Sequence, residues 1–444
     1  MESSVVTDRD RIRALPWCLA HGVLNSFFAI WTFGSSLFIL FLGELGLPKG
    51  QIGGLLSLFP FCGLLALGFA PMAARLGRKR VFLLGYAIRK PVMAMLLLLP
   101  WVVSGAGRTV GVVFLSVIIA AFAVLRALAE TAYFPWSQEF IPNRVRGSFA
   151  AWFTVVSLLA SALALTIAGQ VISRGSGLGR YMLLIGIGCV IGLGGVAVMA
   201  KIPGGEPIRS GGDLAAHFRE MREALADRNF TAYLGGLAGL TIGAALMVAF
   251  LPLYLREECG LAAATVVRLD LMLMVGGGVA SLGWGWLSDR VGSRPVLMPS
   301  MAMLVLLPVG WSLLPRHSPH LVAGCAALYF LYGVGSNGAI IGAGRLLFNG
   351  VVPPGQNTAY TAVYYAWLGL TGGAAPLLAG GILTLTSGWR PQVAGIEFTG
   401  YTVLFALSLL FLVLGWHLYG RVRADDRYST RMVLRSFMNR ITQR

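Results

Sequence analysis

Gly285-Trp-Leu-Ser-Asp289-Arg290-Val-Gly292-Ser-Arg294 closes one long apolar run and precedes the next. Its earlier counterpart, Ala70-Pro-Met-Ala-Ala74-Arg75-Leu-Gly77-Arg78-Lys79-Arg80, lies 215 residues upstream in the same setting. Further pairs keep nearly the same offset: Gly46-Leu47 with Gly260-Leu261, and Pro142 to Gly147 with Pro353 to Thr358. The chain therefore reads as a duplication of one apolar unit. Of its 444 residues 57% are hydrophobic and only 12% charged, and the apolar runs exceed what a soluble core helix needs.

A helix needs about 20 apolar residues to cross about 30 Å of hydrocarbon. Cutting at charged and Gly/Pro-rich breaks predicts spans at approximately 17 to 42, 51 to 73, 81 to 103, 110 to 139, 147 to 172 and 180 to 200, then 230 to 255, 263 to 287, 295 to 314, 321 to 348, 358 to 386 and 397 to 420. The first run is too long for a signal-peptide core and is expected to stay as span 1. The expected fold is all-α and membrane-integral, with twelve transmembrane helices in two pseudo-symmetric six-helix bundles. Residues 1–200 form the first bundle, 201–229 a linker with a surface helix, 230–420 the second bundle and 421–444 a basic tail.

The formal charge of +17 does not sit on a soluble domain with groove-reading elements, so no nucleic-acid partner is expected; the lipid bilayer is the basic chain's partner. The tails and even-numbered loops hold 23 of the 35 Lys and Arg, and the odd-numbered loops eight. Because basic residues stay on the cytoplasmic side, both termini are expected there, in a multi-pass inner (plasma) membrane protein. Leu214, Phe218, Met221 and Leu225 recur at helical spacing in the linker. Leu434, Phe437, Met438 and Ile441 do so in the tail, against Arg431, Arg435, Arg440 and Arg444, the pattern of a basic helix on an anionic leaflet or of a merely solvated tail.

Gly-x-x-x-Asp-Arg-x-Gly-x-Arg in a short loop, twelve spans and a long loop between the sixes together resemble the major facilitator superfamily, over essentially the whole chain. The second copy of the motif is complete; the first has Ala70 and Ala74 in place of Gly and Asp but keeps Arg75 and Gly77. Gly285 is expected to permit close packing at the helix end, Gly292 a tight turn, and Asp289 an interaction with a positive helix N-terminus. The resemblance implies a conformational gate, with Asp289 near Gly147 and Ser148, flanked by Arg146 and Glu139, and with Arg290 and Arg294 in the same network. It implies Ala74 facing Gln356 and Asn357, an uncharged seam. Without these contacts the loop charges would be topology markers only.

The resemblance also places a solute between the halves, on the first, fourth, seventh and tenth spans. Span 4 carries Arg126 and Glu130, four apart on one face, with Tyr133 a turn on. The pair is either a structural ion pair or the polar centre of transport, Arg126 holding an anionic or hydroxyl-rich solute and Glu130 taking the proton. Span 1 offers His21, Asn25, Phe28, Thr32 and Ser35 as a polar stripe; hydrogen bonding between helices, and a membrane-boundary place for His21, are the plainer readings. Arg89 and Lys90 in span 3 are expected to snorkel. In the second half Asn337 takes the place of Arg126, beside Gly333 and Ser336, with Tyr360, Tyr364 and Trp367 on span 11 as cavity lining or as packing. Arg345 is expected at the gate.

No Gly-x-x-x-x-Gly-Lys-Ser/Thr, His-Glu-x-x-His or Gly-x-Ser-x-Gly occurs, so no catalytic residue, nucleotide or other cofactor is expected. The cysteines Cys18, Cys62, Cys189, Cys259 and Cys325 are scattered singly and suggest no metal site. The expected function is secondary active transport of a small solute by alternating access, coupled to protons, by a monomer. A multidrug exporter is an alternative, although the Arg-x-x-Gln-Gly and Gly-x-x-x-Gly-Pro stretches of such proteins are not intact. A transport-inactive receptor or scaffold is the alternative of another class.

Overall fold

The computed structural model of the chain describes residues 7–207, 214–316, 318–353, 357–393 and 396–423. Sixteen helices account for nearly all of it: α1 (Asp8–Thr32), α2 (Ser36–Glu44), α3 (Lys49–Cys62), α4 (Ala66–Leu76), α5 (Arg78–Ala94), α6 (Leu99–Phe140), α7 (Arg146–Arg174) and α8 (Gly179–Met199), then α9 (Leu214–Ala226), α10 (Arg228–Val248), α11 (Leu251–Glu257), α12 (Ala263–Val291), α13 (Arg294–Leu313), α14 (Leu321–Leu346), α15 (Asn357–Leu385) and α16 (Gly400–Arg421). A two-residue hairpin, Gln392–Val393 with Ile396–Glu397, is the one sheet among the described residues.

Ten helical segments are long and apolar enough to cross a membrane, and the bent pair Lys49–Leu65 with Gly68–Leu76, turned by 59°, makes an eleventh. One of the ten, Arg78–Phe140, has 63 residues. At 1.5 Å per residue that is about three bilayer cores, and Gly107 interrupts it with φ 85° and ψ 168°. Divided at Gly107 it supplies two spans, and the count among the described residues is twelve. Large side chains such as Leu282, Leu313 and Leu385 point outward, more than 70% exposed, as lipid-facing positions do.

The described residues cluster into two compact units, one of Met1–Leu47, Leu58–Gly211 and Ala262–Arg268, the other of Pro48–Ser57, Gly212–Leu261 and Leu269–Arg444. Backbone conformation repeats where the sequence repeats. Gly46 and Gly260 have φ of 67° and 66°, and Gly77 and Gly292 have 96° and 103°, a region glycine enters without steric cost. The first span of each half also breaks at matching places. α1 ends at Phe33 and restarts after Ser35, whose hydroxyl caps α2 through Leu37 N; α10 ends at Ala249 and α11 begins with Pro252 in its first turn.

In the linker α9 packs against α15 with Ala224 buried, while Leu225 is exposed. The side chains of Leu214 and Phe218, Gln356, and the whole tail stripe lie outside the described residues.

Candidate functional site

The first unit holds a mid-span polar cluster on α1, α5 and α6. Arg126 donates from Nε to Glu130 Oε1 at 2.7 Å, as one helical turn permits, and its guanidinium lies 5.1 Å from the Phe33 ring centroid. The two side chains are 30% and 50% exposed. Behind them the Tyr86 hydroxyl donates to Asn25 Oδ1 at 2.8 Å, and Arg89 Nη2 reaches the same oxygen at 3.5 Å. Half-buried Phe33 and Phe59 stack at 5.8 Å and both meet Phe122, giving the cluster an aromatic wall.

Arg89 and Lys90 do not snorkel. They are 4% and 0% exposed, and Lys90 Nζ lies 3.2 Å from the Phe28 centroid and 3.9 Å from that of Tyr86. Their head groups lie on ring faces and are not carried to the membrane surface. The reach of a lysine stem allows snorkelling from three turns down, but the direction of that stem is a tertiary fact, and here α5 turns it toward α1 and α8.

His21 is likewise interior, not at a boundary. It is 6% exposed and packed edge-on against Phe82 and Tyr86 and tilted against Tyr133. Thr32 is fully buried and donates to its own helix, at Phe28 O, 2.6 Å away. Of the expected stripe, Asn25 alone joins Arg89 by a polar contact.

In the second unit Asn337 is half-buried on α14, its Nδ2 2.9 Å from where a Cβ on Gly277 would lie, so its amide rests on α12. The Tyr364 ring lies 6.3 Å from that of Tyr233. Tyr360 donates to Asp227 Oδ2 at 3.1 Å and Trp367 to Leu234 O at 2.8 Å. These two tie α15 to the start and body of α10, which favours packing over pocket.

At the motif-bearing end of the second unit, Asp289 accepts from Arg345 Nη1 at 2.9 Å while 81% exposed. Arg294 donates to Gly420 O and, at 2.6 Å, to Val422 O, holding the end of α16; Arg290 lies 4.2 Å over Trp286. Gly285 does not serve close packing here, since a Cβ on it would meet nothing within 4 Å. At the corresponding end of the first unit Glu139 pairs with Arg78 and accepts from Gly205 N at 2.9 Å. Arg146 is not its partner. It donates instead to Gln138 O at 3.0 Å and Ile141 O at 3.2 Å, the open carbonyls where α6 ends. Arg75 is exposed.

Sequence reasoning missed a network in the second unit at the end carrying the odd-numbered loops. Glu257 accepts from Lys49 Nζ at 2.6 Å and from the Tyr401 hydroxyl at 2.8 Å. Glu258, 7% exposed, takes Arg316 at 3.1 Å and Arg390 at 3.2 Å. The signal was the pair of adjacent acids that closes span 7. Buried Asp270 on α12 was missed too, an acid in the first turns of a span.

Among the described residues no group of His, Cys, Asp and Glu could hold a metal ion. No curated protein matches the sequence significantly. Solved structures that it resembles include the nucleoside transporter NupG (TM-score 0.64, 13% identity, 93% of this chain and 98% of that one). Two others are a D-xylose-proton symporter (0.67, 13%, 92% and 98%) and a bacterial homolog of the human lysosomal transporter Spinster, inward-facing and occupied (0.68, 14%, 96% and 100%). At such identities the likeness is one of fold, and it spans the whole of each partner. The Major Facilitator Superfamily profile matches residues 19–315, well over half of the chain. With twelve spans, a twofold repeat carried in both sequence and backbone, and that match, this multi-pass membrane protein belongs to the Major Facilitator Superfamily of transporters.

Proposed function

We propose that the chain moves a small solute across the plasma membrane by alternating access, coupled to protons through Glu130, with both termini cytoplasmic and the monomer as the working unit. One observation carries this reading. The Arg126–Glu130 pair is mid-span yet only partly buried, in contrast to Glu258, whose carboxylate is closed in by two arginines. A pair serving packing alone gains by being sealed, whereas one that exchanges partners must stay reachable. Protonation of Glu130 releases Arg126 for the solute, and the solute's departure restores the pair. Asp289 and Arg345 are assigned the gate, a surface pair cheap enough to exchange as the transporter cycles.

The proteins of similar fold are named for nucleosides and for D-xylose, so the fold does not select the solute and the side chains must. The test uses proteoliposomes loaded with the solute and given a proton gradient. Glu130→Gln mimics the neutral acid but cannot release a proton. It is expected to retain counterflow exchange while losing uphill uptake, and undiminished uphill uptake would remove Glu130 from coupling.

A further inference from the structure

The charges around the candidate site do not balance. Mid-span in the first unit stand two guanidinium cations, Arg89 and Arg126, the amine of Lys90, and a single carboxylate, Glu130, which is engaged by Arg126. The groups in direct contact with Arg89 and Lys90 are uncharged, while Glu130 and Arg126 stand further off, within electrostatic reach of Arg89. Arg89 meets the Asn25 amide oxygen at 3.5 Å and lies 4.4 Å over Tyr86, 5.7 Å from Phe28 and 5.8 Å from Phe122. Lys90 meets the rings of Phe28 and Tyr86. Neither Arg89 Nε nor Lys90 Nζ has a hydrogen-bond acceptor among the described residues. Buried cations are ordinarily paired, because an uncompensated charge in a low-dielectric interior loses its hydration with nothing in return. Ring faces offset part of that loss, but they leave the positive potential in place.

That potential acts on whatever occupies the open side of the cluster. Arg126 spends Nε on Glu130, its terminal nitrogens remain for a bidentate partner, and it sits on Phe33 beside Phe59 and Phe122. We propose that the solute is an organic anion, a carboxylate on an apolar or aromatic body. Its carboxylate would sit on Arg126 and its body against Phe33 and Phe59, with Arg89 supplying the positive field behind. A cation would meet that field as repulsion. A neutral sugar or nucleoside would leave the buried Arg89 charge unanswered and find few hydrogen-bonding groups on the aromatic wall. Arg89 is a positioning residue in this scheme, acting on the anion through space. The inference rests on the transport reading's choice of Arg126 and Glu130 as the site.

The test needs binding before transport. Purified full-length protein in detergent is titrated with benzoate, phenylacetate and hexanoate, with the matched amides, and with benzylamine and hexylamine, following thermal stabilisation and equilibrium binding. The acids are expected to bind and to exceed their amides by about tenfold or more, the size of one charge-assisted interaction. Arg89→Gln should narrow the acid-to-amide ratio about tenfold, while Arg89→Lys, which keeps the charge, should largely preserve it. A merely structural Arg89 would lower stability in both variants and leave the ratio alone. Binding of amides or amines as tight as that of the matched acids, or no binding by any acid, would overturn the proposal, and the wild-type panel decides this even where a variant fails to fold. Acids that bind but are not moved in sealed proteoliposomes would remove the transport reading and leave the anion site standing. Flux of neutral or cationic solutes without acid binding would do the reverse.

Discussion

Removing Arg126 and Glu130 singly and together separates a structural pair from a functional one. An exposed ion pair one helical turn apart contributes about 0.3–0.5 kcal/mol, and breaking a fully buried pair by deleting one partner costs about 3–5 kcal/mol. With side chains 30% and 50% exposed and a 2.7 Å contact, this pair lies between those limits. Glu130→Leu strands a partly solvated guanidinium and should destabilise by about 1–2 kcal/mol. Arg126→Met strands the more exposed carboxylate and should cost less. The double variant replaces both charges with side chains of similar volume and should return to within about 1 kcal/mol of wild type, so the cycle yields a coupling of about 1–2 kcal/mol. Thermal unfolding in detergent ranks the four proteins, and flux in proteoliposomes is measured on the same preparations. The expected outcome is a double variant that is folded and stable but moves no solute. Wild-type flux from it would refute the assignment of the site, and a coupling indistinguishable from zero would refute the energetic reasoning.

Lys90→Met removes a fully buried amine nitrogen while keeping the stem that fills the space between Phe28, Tyr86 and Gly192. A buried nitrogen without a hydrogen-bond acceptor costs stability, so the thermal midpoint should hold or rise; a fall of many degrees would mean that its ring contacts outweigh that cost. Asp289→Asn and Arg345→Gln should each change stability by less than about 1 kcal/mol, because the Asp289 carboxylate is 81% exposed, yet both should shift spin-label distances across the motif-bearing mouth. The double variant should behave like either single one, and additive shifts would show that the two residues do not act as a pair.

The sequence alone determined the class, the repeat and the number of spans. Each rests on signals that accumulate along the chain: the length of apolar runs against bilayer thickness, and a loop motif recurring at a fixed offset. The glycines at 46, 77, 260 and 292 were legible for the same reason, since positive φ is a local demand met by a local residue. The pairing of Arg126 with Glu130 was also readable, because helical pitch alone brings i and i+4 together. What the sequence could not decide was direction and partnership across helices. It expected Lys90 to snorkel to the membrane surface and left His21 between a cavity stripe and the membrane boundary, but the rotation of α5 and α1 about their axes turns both inward onto aromatic rings. It set Glu139 beside Arg146 in a charge network, although the fold gives Glu139 to Arg78 and sends Arg146 to the open carbonyls ending α6. Glu257 and Glu258 drew no reading from the sequence, because Tyr401 and Arg390, which close on them, lie more than 130 positions away. Period and composition are properties of a chain read in order, whereas which faces meet depends on helix rotation and crossing, and only the packed tertiary structure sets those.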